Sequence, residues 1–179
     1  MSKNKDAPPE ATKIAACACH AYALNLQKNC PNLPPVEDIA NCLEQVQTEF
    51  ENADLDMQMP CTMTDTDPCW VLDNLRTLNR VLMLADIEIK EEEPRRLSVR
   101  SFDYARPARS NESALLKACI LLDVLLKGHR CVQTLHLGQD IVGTRCAQIL
   151  YASLAFNKSL KYMTAESVCT AGATHQGTS

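Results

Sequence analysis

The chain has few glycines, no excess of basic residues and no long apolar run near its N-terminus. It contains 5 glycines in 179 residues, and it has no glycine-rich phosphate loop, nucleophile elbow or HExxH motif. A formal net charge of -4 gives no general attraction to nucleic acid or anionic lipid, both of which favour a surplus of lysine and arginine. We therefore expect no nucleic-acid or membrane partner, and nothing in the motifs supports an enzyme.

The N-terminal segment does not resemble a secretory signal or a membrane span, because Lys13 and His20 interrupt its first apolar stretch. The ten cysteines would suggest disulfides in a secreted protein. Without a secretory signal, the reducing cytosol is the better assumption. We expect a cytoplasmic protein whose cysteines are mostly free thiols.

Composition and length are those of a folded protein. Hydrophobic residues make up 46% of the chain and charged residues 22%, which separates it from disordered sequences. A chain of this size forms one domain, or one domain with an appendage.

The first half has the periodicity of amphipathic helices. Apolar residues recur three and four positions apart over residues 8–30 and 36–50, and a proline-containing break at residues 31–35 separates the two segments. Residues 52–66 are polar and irregular, which predicts a loop. A third helix is predicted from a cap at Asp67 to about residue 85.

The second half contains an internal repeat. Apolar residues occupy the first, fourth and sixth places of residues 132–137 and again of residues 160–165, which begin 28 positions later. Three positions in the preceding segments correspond at the same offset: Cys119 with Ala147, Leu122 with Leu150, and Leu126 with Leu154. A third copy, formed by Val99, Phe102 and Tyr104, is aligned 33 residues before Val132, Leu135 and Leu137.

Each repeat predicts a short strand followed by a helix that covers its apolar side. The helices are expected at residues 111–127, capped by Asn111 or Ser110, and at residues 144–156, capped by Thr144. A unit of this kind buries its apolar side only by stacking on its neighbours.

The segment GTRCAQILYASLAFNKSL at residues 143–160 is similar to the G-x-x-x-L-x-x-x-L-x-x-N-x-S-L signature of ribonuclease-inhibitor-like leucine-rich repeats. The resemblance covers about residues 97–168. It implies an α/β fold in which an N-terminal α-helical region precedes a short solenoid of parallel strands with convex helices. The sequence departs from the pattern at Gly138-Gln139-Asp140, where an asparagine is usual, and at Ala165, where leucine is usual.

Three regions follow from these patterns. Residues 1–90 form an α-helical cap or appendage, residues 91–168 hold the repeats, and residues 169–179 form a disordered tail. The charged run at residues 91–96 predicts a solvated hinge at the boundary.

The resemblance implies a non-catalytic module that binds a protein partner, without a cofactor, through the concave face of the strands. Outward strand residues alternate with core positions and would form this face. The candidate binding residues are Ser98, Arg100, Ser101, Asp103, Gln133, Thr134, His136, Lys161, Tyr162 and Thr164.

Two alternative functions remain open. The segment Leu33-Pro34-Pro35-Val36, followed by Ile39 and Leu43, faintly resembles the start of an F-box. The chain would then be an adaptor or substrate receptor of a ubiquitin ligase. It could equally be a fragment of a larger leucine-rich repeat receptor.

Cysteine and histidine suit zinc, but no metal site is predicted. In Cys17-Ala18-Cys19-His20 the three ligand types do not share one face of a helix. We expect small packing cysteines and an exposed histidine there. Cys131 is expected to pack in the core, and His129 to act as a cation at a helix C-terminus.

Overall fold

The computed structural model describes residues 9–101 and 111–165, with residues 9–17 described by their backbone only. These residues form a mixed α/β fold with a four-stranded sheet. The sequence predicts the α/β class. The helices are α1 (Pro9–Asn29), α2 (Val36–Glu51), α3 (Trp70–Asp73), α4 (Leu75–Leu82), α5 (Glu112–Gly128), α6 (Gln139–Val142) and α7 (Ala147–Leu154), with a 3₁₀ turn at Met83–Ala85. The strands are β1 (Ile87–Glu93), β2 (Arg96–Ser101), β3 (Val132–Leu137) and β4 (Tyr162–Ala165), in that order across the sheet.

The helices of the first half lie where the periodicity predicts them, but the third is divided into α3, α4 and the 3₁₀ turn. The prediction that Asp67 caps it is wrong. Cys69 occupies the N-cap position without a side-chain hydrogen bond. The Asp67 carboxylate instead accepts hydrogen bonds from the Thr64 and Thr66 hydroxyls, at 2.9 and 3.1 Å. A local turn thus takes the carboxylate that a helix start would have used.

The charged run at residues 91–96 is part of a β-hairpin and not a hinge. β1 pairs antiparallel with β2, and Arg95 in the connecting turn adopts a left-handed φ of 64°. The Glu91 carboxylate accepts the Arg95 amide at 2.7 Å. The strand forms because Ile87 and Ile89 alternate into the core, while Lys90 and the three glutamates that follow it are exposed.

β2, β3 and β4 are parallel neighbours. In the second pair Leu135 lies opposite Met163 and Leu137 opposite Ala165, which is the 28-residue offset of the sequence repeat. The predicted alignment of the third copy is wrong. Val99 lies opposite Leu135 and not opposite Val132, and the register shifts between Leu97 and Ser98. Phe102 and Tyr104 lie outside the described residues.

α5 and α7 pack against each other and bury the repeat positions, including Leu122 and Leu150. The predicted cap of α5 is confirmed, since the Asn111 side chain accepts the Ser113 amide at 3.0 Å. The predicted cap of α7 is wrong. The Thr144 hydroxyl donates to the Ile141 carbonyl at 2.7 Å, because the short helix α6 precedes the turn.

One cluster of buried side chains runs through both halves of the chain. It includes Ile39 and Phe50 of α2, Ile87 of β1, and Leu121 of α5. Asp123 of α5 is buried within this layer, where it accepts hydrogen bonds from the Tyr22 and Ser153 hydroxyls at 2.8 and 2.6 Å. The helical half and the sheet therefore share their core.

None of the helices in residues 9–101 and 111–165 combines the length and the apolar character needed to cross a membrane.

Candidate functional site

Helices pack on one face of β1, β2 and β3, and the opposite face presents the polar candidates, while every residue of β4 is exposed. Leu97, Val99 and Leu135 are buried on the helix side. On the open side, Ser98, Thr134 and Tyr162 align in one row across the three parallel strands, and Arg100, His136 and Thr164 align in the next. Strand alternation places these two rows on the same face.

Hydrogen bonds and ion pairs connect these rows. The Thr164 hydroxyl lies 2.6 Å from His136 Nδ1. Arg100 forms an ion pair with Glu92 and donates from Nε to the Ser98 hydroxyl at 3.4 Å. Polar side chains on this face thus fix one another's orientation.

A cleft of about 380 Å³ opens on this face. Six of the predicted binding residues line it: Gln133, Thr134, His136, Lys161, Tyr162 and Thr164. The hairpin residues Glu92, Glu93 and Arg96 also line it. Tyr162 is 69% exposed, so its ring projects beyond the sheet. The cleft presents aromatic, cationic and acidic groups together.

Two predicted face residues, Ser98 and Ser101, do not present an exposed side chain on the open face. Ser101 lies on the helix side, opposite the buried Ile87, where its hydroxyl accepts the Gly138 amide. Ser98 is fully buried beneath its neighbours. Asp103 lies outside the described residues. Side chains alternate along β2, so Ser101 lies on the same face as Leu97 and Val99. The misaligned third copy of the repeat led to its assignment to the opposite face.

Three apolar residues of the F-box resemblance belong to the core, whereas Pro35 is exposed and Val36 is half-buried. Leu33, Ile39 and Leu43 are all buried.

A second cluster brings together residues that the sequence did not connect. The sulfurs of Cys61, Cys69 and Cys131 and a ring nitrogen of His129 all lie within 4.8 Å of one another. Cys61 and Cys69 flank the end of the loop before α3, while His129 and Cys131 lie between α5 and β3. His129 is the C-cap residue of α5, so its predicted position at the end of that helix is confirmed, and its side chain is buried in this cluster.

Short contacts hold this Cys–His cluster together. Cys69 Sγ lies 3.3 Å from His129 Nδ1. The Trp70 ring packs edge-on against the His129 ring with centroids 5.3 Å apart, and the indole donates to the Met59 and Pro60 carbonyls. The tryptophan therefore anchors the loop to the histidine.

Electrostatics differ between two thiols of the cluster. A hydrogen bond from Cys131 is the main cause that holds the pKa of Cys69 well below the ordinary thiol value. Burial acts in the opposite direction. Hydrogen bonds with His129 and with the backbone of Val71 and Thr62 lower the pKa of Cys69 further. The hydrogen bond between Cys69 and Cys131, together with burial, raises the pKa of Cys131. The hydrogen bond between the two thiols therefore shifts their pKa values in opposite directions.

Sequence spacing did not reveal the cluster. Cys69 and His129 are 60 residues apart, and no standard zinc motif joins a pair of cysteines to a His-x-Cys pair at these intervals. The motif that the sequence did offer is different: Cys19 is buried and donates to Gln47 Oε1 at 3.3 Å, and His20 is exposed. The side chain of Cys17 lies outside the described part.

Comparisons with known proteins identify no relative: no family model matches the chain, and no curated protein or solved structure is detectably similar to it.

Proposed function

We propose that the protein is a non-catalytic protein-binding module of the leucine-rich repeat type, and that it binds its partner on the open face of the sheet. The observation that carries the proposal is the cleft of about 380 Å³ bounded by β2, β3, β4 and the hairpin, in which six of the predicted binding residues meet. Function in such a repeat lies in the residues that alternate with its core positions.

Stacking of equivalent units supports the repeat interpretation. Thr134 lies opposite Tyr162 and His136 opposite Thr164, each at the 28-residue offset. The Asn157 amide donates to the Leu126 carbonyl at 2.6 Å. An asparagine at the end of one unit thus binds the backbone of the unit before it. Repeat proteins are stabilised by nearest-neighbour contacts of this kind.

The chemistry of the open face suits a protein partner. Binding energy in protein interfaces concentrates in tyrosine, tryptophan and arginine side chains. Tyr162 supplies an exposed ring at one side of the cleft, and Arg96 a guanidinium at the other. Between them His136 is held by Thr164. Side chains that are already oriented lose less conformational entropy on binding.

Mixed charge on this face favours a partner with both polar and charged groups. Glu92 and Glu93 line the hairpin side of the cleft, whereas Lys161 lies on the β4 side. Complementary charges at an interface accelerate association and fix its register more than they raise the affinity. We therefore expect the association rate constant to fall as salt concentration rises.

Site-specific photocrosslinking tests the proposal. A photoreactive amino acid replaces Tyr162 in one sample and Tyr151 of α7, which is 40% exposed on the helix side, in the matched control. Both are exposed to a lysate of the organism that encodes the protein. We expect a discrete protein adduct from position 162. An excess of unlabelled wild-type protein should suppress this adduct, whereas an excess of the His136→Ala, Lys161→Glu double variant should not. Adducts from position 151 alone, or no adduct from either position, would contradict the proposal.

A further inference from the structure

We infer that Cys61, Cys69, His129 and Cys131 form a structural zinc site that fixes the loop before α3 to the junction of α5 and β3. Three thiolates and one imidazole are a donor set that zinc prefers in closed structural sites. Softer thiolate ligands also select zinc over calcium and magnesium, which bind oxygen.

Distances within the cluster fit a tetrahedral ion. Zinc bonds of about 2.3 Å to sulfur and about 2.0–2.1 Å to nitrogen place tetrahedral ligand atoms about 3.6–3.8 Å apart. All four ligand atoms lie within 4.8 Å of one another, and the Cys69 Sγ to His129 Nδ1 distance is 3.3 Å. Adjustments of a few tenths of an ångström to about one ångström would complete the coordination. His129 would bind through Nδ1, with its proton on Nε2.

Burial favours a structural site over a catalytic one. Cys69, His129 and Cys131 are at most 2% exposed. A thiol–imidazole pair also suits nucleophilic catalysis, but a substrate could not reach this sulfur. Four protein ligands leave no position for water, as in other structural zinc sites.

An entry route is present beside the fourth ligand. Cys61 is half-buried, and with His129 it lines a surface cleft of about 760 Å³. Arg130 and Lys158 line the same cleft. Their charges would offset the single net negative charge of zinc with three thiolates. The cysteines would release their protons to solvent as the ion binds.

The site would supply a crosslink that the loop otherwise lacks. Residues 52–68 contain no helix or strand. Trp70 and Arg130 already bind the loop through the carbonyls of Pro60 and Met63. A metal ion held by both segments adds a constraint that closes a long stretch of chain, which stabilises the folded state by restricting the unfolded one.

The test uses the full chain, purified with its thiols reduced, saturated with zinc and then freed of unbound metal. Elemental analysis should find one zinc per chain. Cobalt(II) in place of zinc should produce the visible d–d bands of a tetrahedral ion and a near-ultraviolet sulfur-to-cobalt charge-transfer band. Chelator should lower the Tm of the zinc protein.

Two ligand variants and one matched control locate the site. Cys61→Ser removes the half-buried ligand and Cys131→Ser a buried one, while Cys146→Ser changes a buried thiol that is not among the four ligands. We expect each ligand variant to weaken zinc binding more than about 100-fold, beyond the roughly 10–100-fold effect of losing an outer-shell partner. Cys146→Ser should bind zinc as the wild type does.

Three results would overturn the inference. The first is a reduced, folded wild-type chain that holds no stoichiometric zinc. The second is a disulfide among Cys61, Cys69 and Cys131, found by mass spectrometry of the protein as isolated. The third is a folded Cys61→Ser variant that binds zinc with wild-type affinity. This comparison remains valid even if Cys131→Ser does not fold.

Discussion

The Tyr22 hydroxyl donates a hydrogen bond of 2.8 Å to Asp123 Oδ2, although 101 residues separate the two. This bond joins the first helix to the helix that follows β2. Burial and the neighbouring Asp123 carboxylate raise the pKa of Tyr22, so the phenol remains protonated as the donor. Lys127 pairs with the other carboxylate oxygen at 2.7 Å, which balances the buried charge.

Loss of this hydrogen bond should destabilise the fold. Tyr22→Phe removes a donor to a buried carboxylate, and we expect the free energy of unfolding to fall by about 1.5–3 kcal/mol. Tyr151→Phe is the matched control, because its hydroxyl makes only a 3.5 Å contact at the surface. Its effect should stay below about 0.5 kcal/mol. Urea unfolding of both variants measures the difference, and equal effects would show that the Tyr22 bond contributes nothing.

Glycine substitutions test the junction between β3 and α6. A Cβ at Gly138 would lie 2.8 Å from Ser101 Oγ, the atom that accepts its amide. We expect Gly138→Ala to lower the free energy of unfolding by about 0.5–1.5 kcal/mol, because the Ser101 hydroxyl must rotate away and give up this hydrogen bond. A Cβ at Gly128, in the last turn of α5, would meet no atom within 4 Å. Gly128→Ala should raise stability by up to about 1 kcal/mol. The denaturant midpoints of the two variants show whether each substitution lowers or raises stability. A Gly138→Ala variant as stable as the wild type would contradict the contact with Ser101.

The repeat half should not fold cooperatively without the N-terminal helices. A fragment of residues 92–179 lacks most of β1, which pairs with β2, and lacks α2, whose Ile39 and Phe50 share the core. We expect a broad thermal transition by circular dichroism where the full chain gives a sharp one. A sharp transition for the fragment would show that the repeats form an autonomous unit.

Acid should weaken the ion pair between Glu112 and Arg145. A hydrogen bond from Arg145 holds the pKa of Glu112 below its ordinary value of 4.5. A lowered carboxyl pKa contributes stability above the ordinary value, and this contribution disappears as pH falls through the lowered value. Both side chains are about half exposed, so the effect is small and sensitive to salt. The Tm difference between wild type and Glu112→Gln should therefore be small at neutral pH and vanish in strong acid. A difference that grows in acid would contradict the assignment.

Local sequence patterns predicted the positions of helices and strands better than the way in which the strands pair. Three- and four-residue periodicity located α1 and α2, and the repeated apolar pattern located β3 and the 28-residue step to β4. The hairpin was missed because the charged residues 91–96 were interpreted as a solvated hinge and the alternation of Ile87 and Ile89 was given no weight. These two side chains are buried although the same strand ends in exposed glutamates.

Contacts between distant segments were not readable from spacing. The alignment of β2 depends on a register shift at Leu97, which no single-strand pattern records. The Cys–His cluster depends on a loop that folds back onto the end of α5. Because the ligands come from two segments, only tertiary structure brings the Cys61 and Cys69 thiols to His129.

Hydroxyl-radical footprinting measures whether the open face of the sheet binds the partner. Tyr162 on the open face and Phe156 at the end of α7 start almost equally exposed, at 69% and 66%. The partner captured by crosslinking is added to the full chain, and side-chain oxidation at both rings is measured by mass spectrometry. We expect the partner to protect Tyr162 strongly and to leave Phe156 unchanged. Protection of Phe156 with Tyr162 still fully reactive would contradict the account.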